Sequence, residues 1–148
     1  MEKLKTTAAK LIKCWETGNY AAVAEDLAND FVEFDPPQRA SKGITEIGVK
    51  QAGFHKIHSN VKIHIMKQIA NERSVCTHFL LLADVPMPGG TQPIQQAGMA
   101  WASFRDGKIF SHRVYRDTIG YLMQRGYRWD LSAMPQRRSV GSKNGAAA

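Results

Sequence analysis

Cysteine is scarce in this chain: only Cys14 and Cys76 occur in 148 residues. Neither has a partner at metal-ligand spacing, so the two read as buried free thiols and a disulfide-stapled scaffold is excluded. Long apolar runs are missing as well. No stretch approaches the roughly 20 residues that span a bilayer, and Met1-Glu2-Lys3-Leu4-Lys5 lacks the apolar character of a secretory signal. A cytoplasmic protein without membrane contact is the expectation. Also absent are a phosphate-binding loop, a Gly-x-Ser-x-Gly nucleophile turn, a dinucleotide fingerprint and an internal repeat. His55 and His58 have no acidic or thiol partner nearby in sequence, and His64 and His78 stand apart from them, so no metal and no cofactor are expected.

Acidic residues are the minority charge, 13 against 20 Lys and Arg, for a formal net charge of +7. The surplus is scattered from Lys3, Lys5, Lys10 and Lys13 to Arg125, Arg128, Arg137 and Arg138. No basic stripe alternates with stacking aromatics, so no nucleic-acid partner is expected. The chain is 43% hydrophobic and of a length suited to one core. Residues 1–133 are expected to form a single domain and 134–148, rich in Arg, Ser, Gly and Ala, a flexible tail.

Leu4, Ala8, Leu11, Ile12 and Trp15 recur at helical spacing and predict an amphipathic helix over 3–17, stopped by Gly18. A second short helix is predicted over 20–28 and a third over 44–58, turning Ile47, Phe54 and Ile57 inward. Asn29 to Pro36 reads as a strand, Val61 to Ile65 as a half-buried strand, and Ser74 to Val85 as a long one after a turn at Asn71-Glu72. Pro86 to Pro93 should break any ladder and form a loop at the rim of the sheet. Asp106-Gly107 marks a two-residue hairpin between strands from about Gly98 and to about Arg116. Thr118 to Met123 then forms a short helix ending at Gly126. Helices first and strands afterwards is an α+β arrangement.

The stretch Gly107-Lys108-Ile109 through His112-Arg113 and Asp117 to the Thr118-Ile119-Gly120 helix turn resembles the C-terminal signature of the NTF2-like superfamily, most closely its SnoaL-like polyketide cyclase family. Gly18-Asn19-Tyr20, Asn29 to Pro36 and Gly43 to Ile47 match that pattern in order, over roughly residues 3 to 127. The resemblance implies a cone: a curved antiparallel sheet with about three helices enclosing a pocket. It implies a cofactor-independent cyclase or isomerase that moves a proton on a polyketide or terpenoid carbonyl compound. The alternative it leaves is a module that binds a small molecule or protein without catalysis.

By that resemblance Asp117 is the proton shuttle, His112 assists, and Asp35, in Val32-Glu33-Phe34-Asp35-Pro36, is a further acid/base carboxylate. Each has a plainer reading. Asp117 stands where a helix N-cap belongs. His112 and Asp117 are five apart and need a bend to share a face. Strand parity makes Val32 and Phe34 the buried side and exposes Glu33 and Asp35, unless the prolines swing Asp35 inward. Trp15, Phe54, Phe79, Leu81, Ala100, Ala102 and Tyr115 are the expected substrate-binding residues, with Gly98, Ala100 and Ala102 leaving room for a ligand. Trp101 is expected on the outer face, as part of a homodimer contact through the sheet; with reversed parity it becomes a pocket wall. Positions matching the enolate-stabilising pair of the steroid isomerases hold Leu11 and Ala100. Those matching the Asp-Arg-Asp set of limonene-type epoxide hydrolases hold Leu81, Phe79 and Val114.

Overall fold

The apolar stripe of the first helix does what its spacing requires. In this computed structural model, which describes residues 1–128, α1 spans Glu2–Lys13 and continues as a 3-10 turn over Cys14–Glu16. Ala8, Leu11, Ile12 and Trp15 are buried, and the helix packs on β3 and β4, defined below. Cys14 lies in this core, where burial pushes its thiol up to about 11, while Cys76 is only half-buried; both are free. The tail expected at 134–148 and the last residues of the expected 1–133 domain lie outside the described residues.

The segment predicted as a second α-helix is instead a 3-10 helix over Ala21–Asp26, and the first strand starts earlier, with β1 at Leu27–Phe34. Leu27 belongs to the sheet because its side chain enters the core beside Phe31. After the two-residue β2 at Ser41–Lys42, α2 runs Gly43–His55. Ile47 and Gln51 are buried and Phe54 packs at the edge of the core. Ile57, expected inside, lies beyond the helix end and is exposed.

Four long strands follow: β3 Ser59–Ala70, β4 Ser74–Met87, β5 Gly90–Arg105 and β6 Lys108–Arg116. The turn at Asn71 is closed by its side-chain oxygen, which accepts from the backbone N–H groups of Arg73 and Ser74 at 2.9 and 2.8 Å. Asp106 and Gly107 have φ of 52° and 75°, as the expected hairpin turn demands. The rim loop expected at 86–93 is absent. The β4–β5 ladder continues through Asp84↔Pro93 and Pro86↔Thr91 to Met87↔Gly90, and only Pro88 and Gly89 form the turn. Prolines fit because the alternation of hydrogen-bonded sites leaves positions where no N–H is needed.

Among the described residues one six-stranded sheet results, in the order β2-β1-β6-β5-β4-β3. Every pairing is antiparallel except β1 with β6, which is parallel and brings Glu33 beside His112. The inner face carries Val75, Phe79, Leu81, Ala100, Ala102 and Val114, covered by α1 and α2. A register shift between Ser103 and Phe104 lets both Ile109 and His112 turn inward, which an unbroken alternation forbids. The outer face exposes Met66, Ile69, Met99, Trp101 and Tyr115, so Trp101 lies on the outer side, as its parity favours. Finally α3, Thr118–Gln124, packs beside β5. This is the α+β cone expected from the sequence.

Candidate functional site

Polar side chains reach the inside of this sheet where its parallel pair meets α2. Phe31, Glu33 and Asp35 share one face of β1 and its exit, and Glu33 is 0% and Asp35 3% exposed. The parity expected from local hydrophobicity is thus reversed. Val32 and Phe34 are half-buried on the other side, where the Arg113 guanidinium lies 4.3 Å from the Phe34 ring centre and shields it. Glu33 and Asp35 can be buried because cations from other elements meet them.

Those cations are Lys50 of α2 and Arg116 of β6. Arg116 donates through Nε to Asp35 Oδ1 at 3.2 Å and through Nη2 to Oδ2 at 2.9 Å, a two-point ion pair. Lys50 Nζ donates to Glu33 Oε1 and lies 3.6 Å from Asp35 Oδ2. His112 Nδ1 donates to the other Glu33 oxygen at 2.9 Å. Burial pushes the Glu33 carboxyl up, but the hydrogen bond and charge of His112, followed by those of Lys50, outweigh it and hold it below the ordinary value. The same negative charges add to burial in pushing the Tyr20 phenol far up, so it stays neutral.

Part of this cluster borders a cavity of about 360 Å³, within the usual range for small-molecule sites. Asp35, Lys50 and Arg116 line it together with Trp15, Phe54, Ile57, His58 and Tyr121. Arg116 sits 5.4 Å above the Trp15 ring. A smaller lobe of about 210 Å³ extends along Arg116, Gln96, Thr118 and Leu122. In the lining of both, His58 stacks on Phe54 with ring centres 3.9 Å apart and meets the Tyr121 hydroxyl at 2.8 Å.

The cavity collects only part of the expected site. Trp15, Phe54 and Asp35 line it. His112 is buried behind it, on Glu33. Asp117 is exposed and caps α3, its Oδ1 accepting from Gly120 N at 2.8 Å, and it lines neither the cavity nor its side lobe. Tyr115 is 58% exposed on the outer face, because it alternates with the inward Val114 and Arg116, and it is no part of the pocket. Phe79, Leu81, Ala100 and Ala102 are core residues. The room expected above Gly98 is filled by Phe79: a Cβ on Gly98 would stand 2.4 Å from the ring. Phe79 in turn supports Trp15 edge-on at 5.8 Å.

Sequence reasoning passed over Glu33, Lys50, Arg116, His58 and Tyr121. Part of the signal was present, since Glu33 and Asp35, and likewise His112 and Arg116, are related by the two-residue period of a strand. Lys50, His58 and Tyr121 had none, because their partners are remote in the chain.

Among solved structures the fold recurs at low identity. A protein with a ketosteroid isomerase-like fold from Catenulispora acidiphila, in complex with trimethylamine, is 19% identical, covers 84% of this chain and 96% of its own, and superposes with a TM-score of 0.71. A proposed SnoaL-like polyketide cyclase from Shewanella putrefaciens is 14% identical over 84% of this chain and 96% of its own, with a TM-score of 0.72. An NTF2-like protein from Anabaena variabilis gives 18% identity, coverage of 80% and 92%, and a TM-score of 0.63. No curated protein matches the sequence. The family description for SnoaL-like polyketide cyclases matches residues 5–125, nearly the whole described fold, and the chain belongs to that family.

Proposed function

We propose that the protein is a cofactor-independent enzyme of the cyclase or isomerase type that enolises a hydrophobic carbonyl compound, such as a polyketide or terpenoid. The observation that carries this reading is the charged group of Lys50, Asp35 and Arg116 in a cavity whose lining also includes the aromatic and apolar Trp15, Phe54, Ile57 and Tyr121 beside the polar Gln38, Gln51 and His58. The aromatic walls take up the rings of a substrate. Its carbonyl oxygen then faces the Arg116 guanidinium and the Lys50 ammonium.

Loss of an α-proton puts negative charge on that oxygen. Cations already held in place by Asp35 and Glu33 stabilise it without reorganising. In this reading Asp35 is the carboxylate of the charged group and orients both cations, His112 acts one step behind through Glu33, and Asp117 serves the helix end. Two copies pair through the outer sheet face, where Met66, Ile69, Met99, Trp101 and Tyr115 are exposed together.

Hydrogen–deuterium exchange at the α-carbons of β-tetralone in heavy water, followed by NMR, tests the reading. The protein should accelerate exchange over buffer. The double variant Asp35→Asn/Arg116→Gln, which leaves no unpaired charge behind, should slow it by about 100-fold or more. A protein that binds β-tetralone without exchanging it is a binding module and not an enzyme.

A further inference from the structure

Enolisation needs a group to receive the α-proton, and the charged cluster is not it. Asp35 Oδ1 is taken by Arg116, and Oδ2 lies between Arg116 and Lys50. Resting on the enolisation reading, we propose that the proton acceptor is the Tyr121–His58 pair, which lines the same cavity, with Tyr121 touching the substrate and His58 taking the proton through it.

The tautomer of His58 is determined by its neighbours. Nδ1 lies 2.9 Å from the Phe54 carbonyl oxygen, which can only accept, so Nδ1 carries the hydrogen. Nε2 of the neutral ring therefore has a free lone pair, and the Tyr121 hydroxyl, 2.8 Å away, donates to it. Arg125 Nη1 donates to the same phenol oxygen at 3.3 Å and supports negative charge on it. Phe54 stacks on the imidazole and prevents it from turning. Both His58 and Tyr121 line the main cavity and its side lobe.

The electrostatic surroundings suit a weak base. Burial lowers the imidazole below its ordinary value, the Phe54 carbonyl opposes this, and the charges of Arg125 at the C-terminal cap of α3, Arg116 from β6 and His55 from α2 lower it further. A neutral imidazole is then the resting form at neutral pH, able to accept.

The step balances. The α-C–H bond of the ketone breaks and its electron pair becomes the enolate double bond, while the carbonyl π pair moves onto the oxygen facing Arg116 and Lys50. The proton arrives on Tyr121 Oη as the phenol's own proton passes to His58 Nε2. The products are an enolate, a neutral phenol and an imidazolium. Running the relay backwards returns a proton, or a deuteron from solvent, to carbon.

The same β-tetralone exchange assay decides the assignment, using the full chain. Tyr121→Phe removes the relay and His58→Gln keeps an acceptor for the Tyr121 hydrogen bond but cannot take a proton. Each should slow exchange by about 100-fold at neutral pH with the unfolding midpoint retained within a few degrees. In the wild type the rate should rise with pH and level off above a pKa below the ordinary histidine value of 6.5. That limb should vanish in His58→Gln. Wild-type rates in both variants, or an unchanged limb in His58→Gln, overturn the Tyr121–His58 assignment alone. No exchange by the wild type overturns the enolisation reading, and this assignment with it.

Discussion

Asp35 and Arg116 meet in a two-point ion pair inside the cone, with both nitrogen–oxygen contacts between 2.9 and 3.2 Å. The two residues are distant in the chain and become neighbours only because β1 joins β6 in parallel. Removing Arg116 leaves the buried Asp35 carboxylate without its two-point partner, with only the longer 3.6 Å contact to Lys50 remaining. Arg116→Met should therefore cost about 3–5 kcal/mol of stability. Adding Asp35→Asn to it should restore a large part, and urea-unfolding curves of the three variants measure the coupling directly.

Glu33 links pH to stability. Its folded-state value lies below the ordinary 4.5, so its contribution is complete above that value and is lost as pH falls through the folded-state value. Unfolding free energies measured at stepped acid pH should fall steeply in the wild type. Glu33→Gln should show a flatter acid limb, and an identical limb in both proteins would show that Glu33 is not its source.

Gly98 is the seat of the Phe79 ring. A Cβ there would stand 2.4 Å from Phe79 Cζ, and the ring is held from behind by Trp15. Gly98→Ala should destabilise by about 1–3 kcal/mol through overpacking. Shortening the ring with Phe79→Leu should relieve most of that, a pattern that calorimetric melting of single and double variants resolves.

Asp117 tests a choice that geometry alone poses. As an N-cap it should lose about 1 kcal/mol on change to Ala and little on change to Asn, which caps equally well. Thermal melts check the cap. If the stable Asn variant has also lost β-tetralone exchange, the carboxylate carries protons and the capping role is incomplete.

The outer sheet face should mediate self-association. Trp101, 46% exposed between Met99 and Ser103 on β5, stands at its centre with Tyr115. Trp101→Lys should shift the protein from dimer to monomer in sedimentation velocity runs while leaving the melting curve of the monomer intact. A wild type that sediments as a monomer removes the proposed pairing.

Much of the fold was legible in the chain because its signals are local. The stripe from Ala8 to Trp15 predicts α1, and Asp106-Gly107 predicts the last hairpin from the conformation those residues favour. The errors share a cause. Pro86 and Pro93 read as ladder breakers, yet they sit at strand positions where neighbours tolerate them. Val32 and Phe34 read as core, yet they face outward, Phe34 beneath Arg113, while two carboxylates face in.

Sequence by itself determined the family, most of the order of elements and the α+β class, and it named Asp35 and Trp15, which line the cavity, and His112, which pairs with Glu33. Only the tertiary structure decided which of them meet. Burying Glu33 and Asp35 is unfavourable until Lys50, His112 and Arg116 arrive from α2 and β6, and those contacts span more of the chain than any local pattern can register. The pairing of His58 with Tyr121, and with it the chemistry proposed for the cavity, arises in the same way, from two elements that touch only when the cone closes.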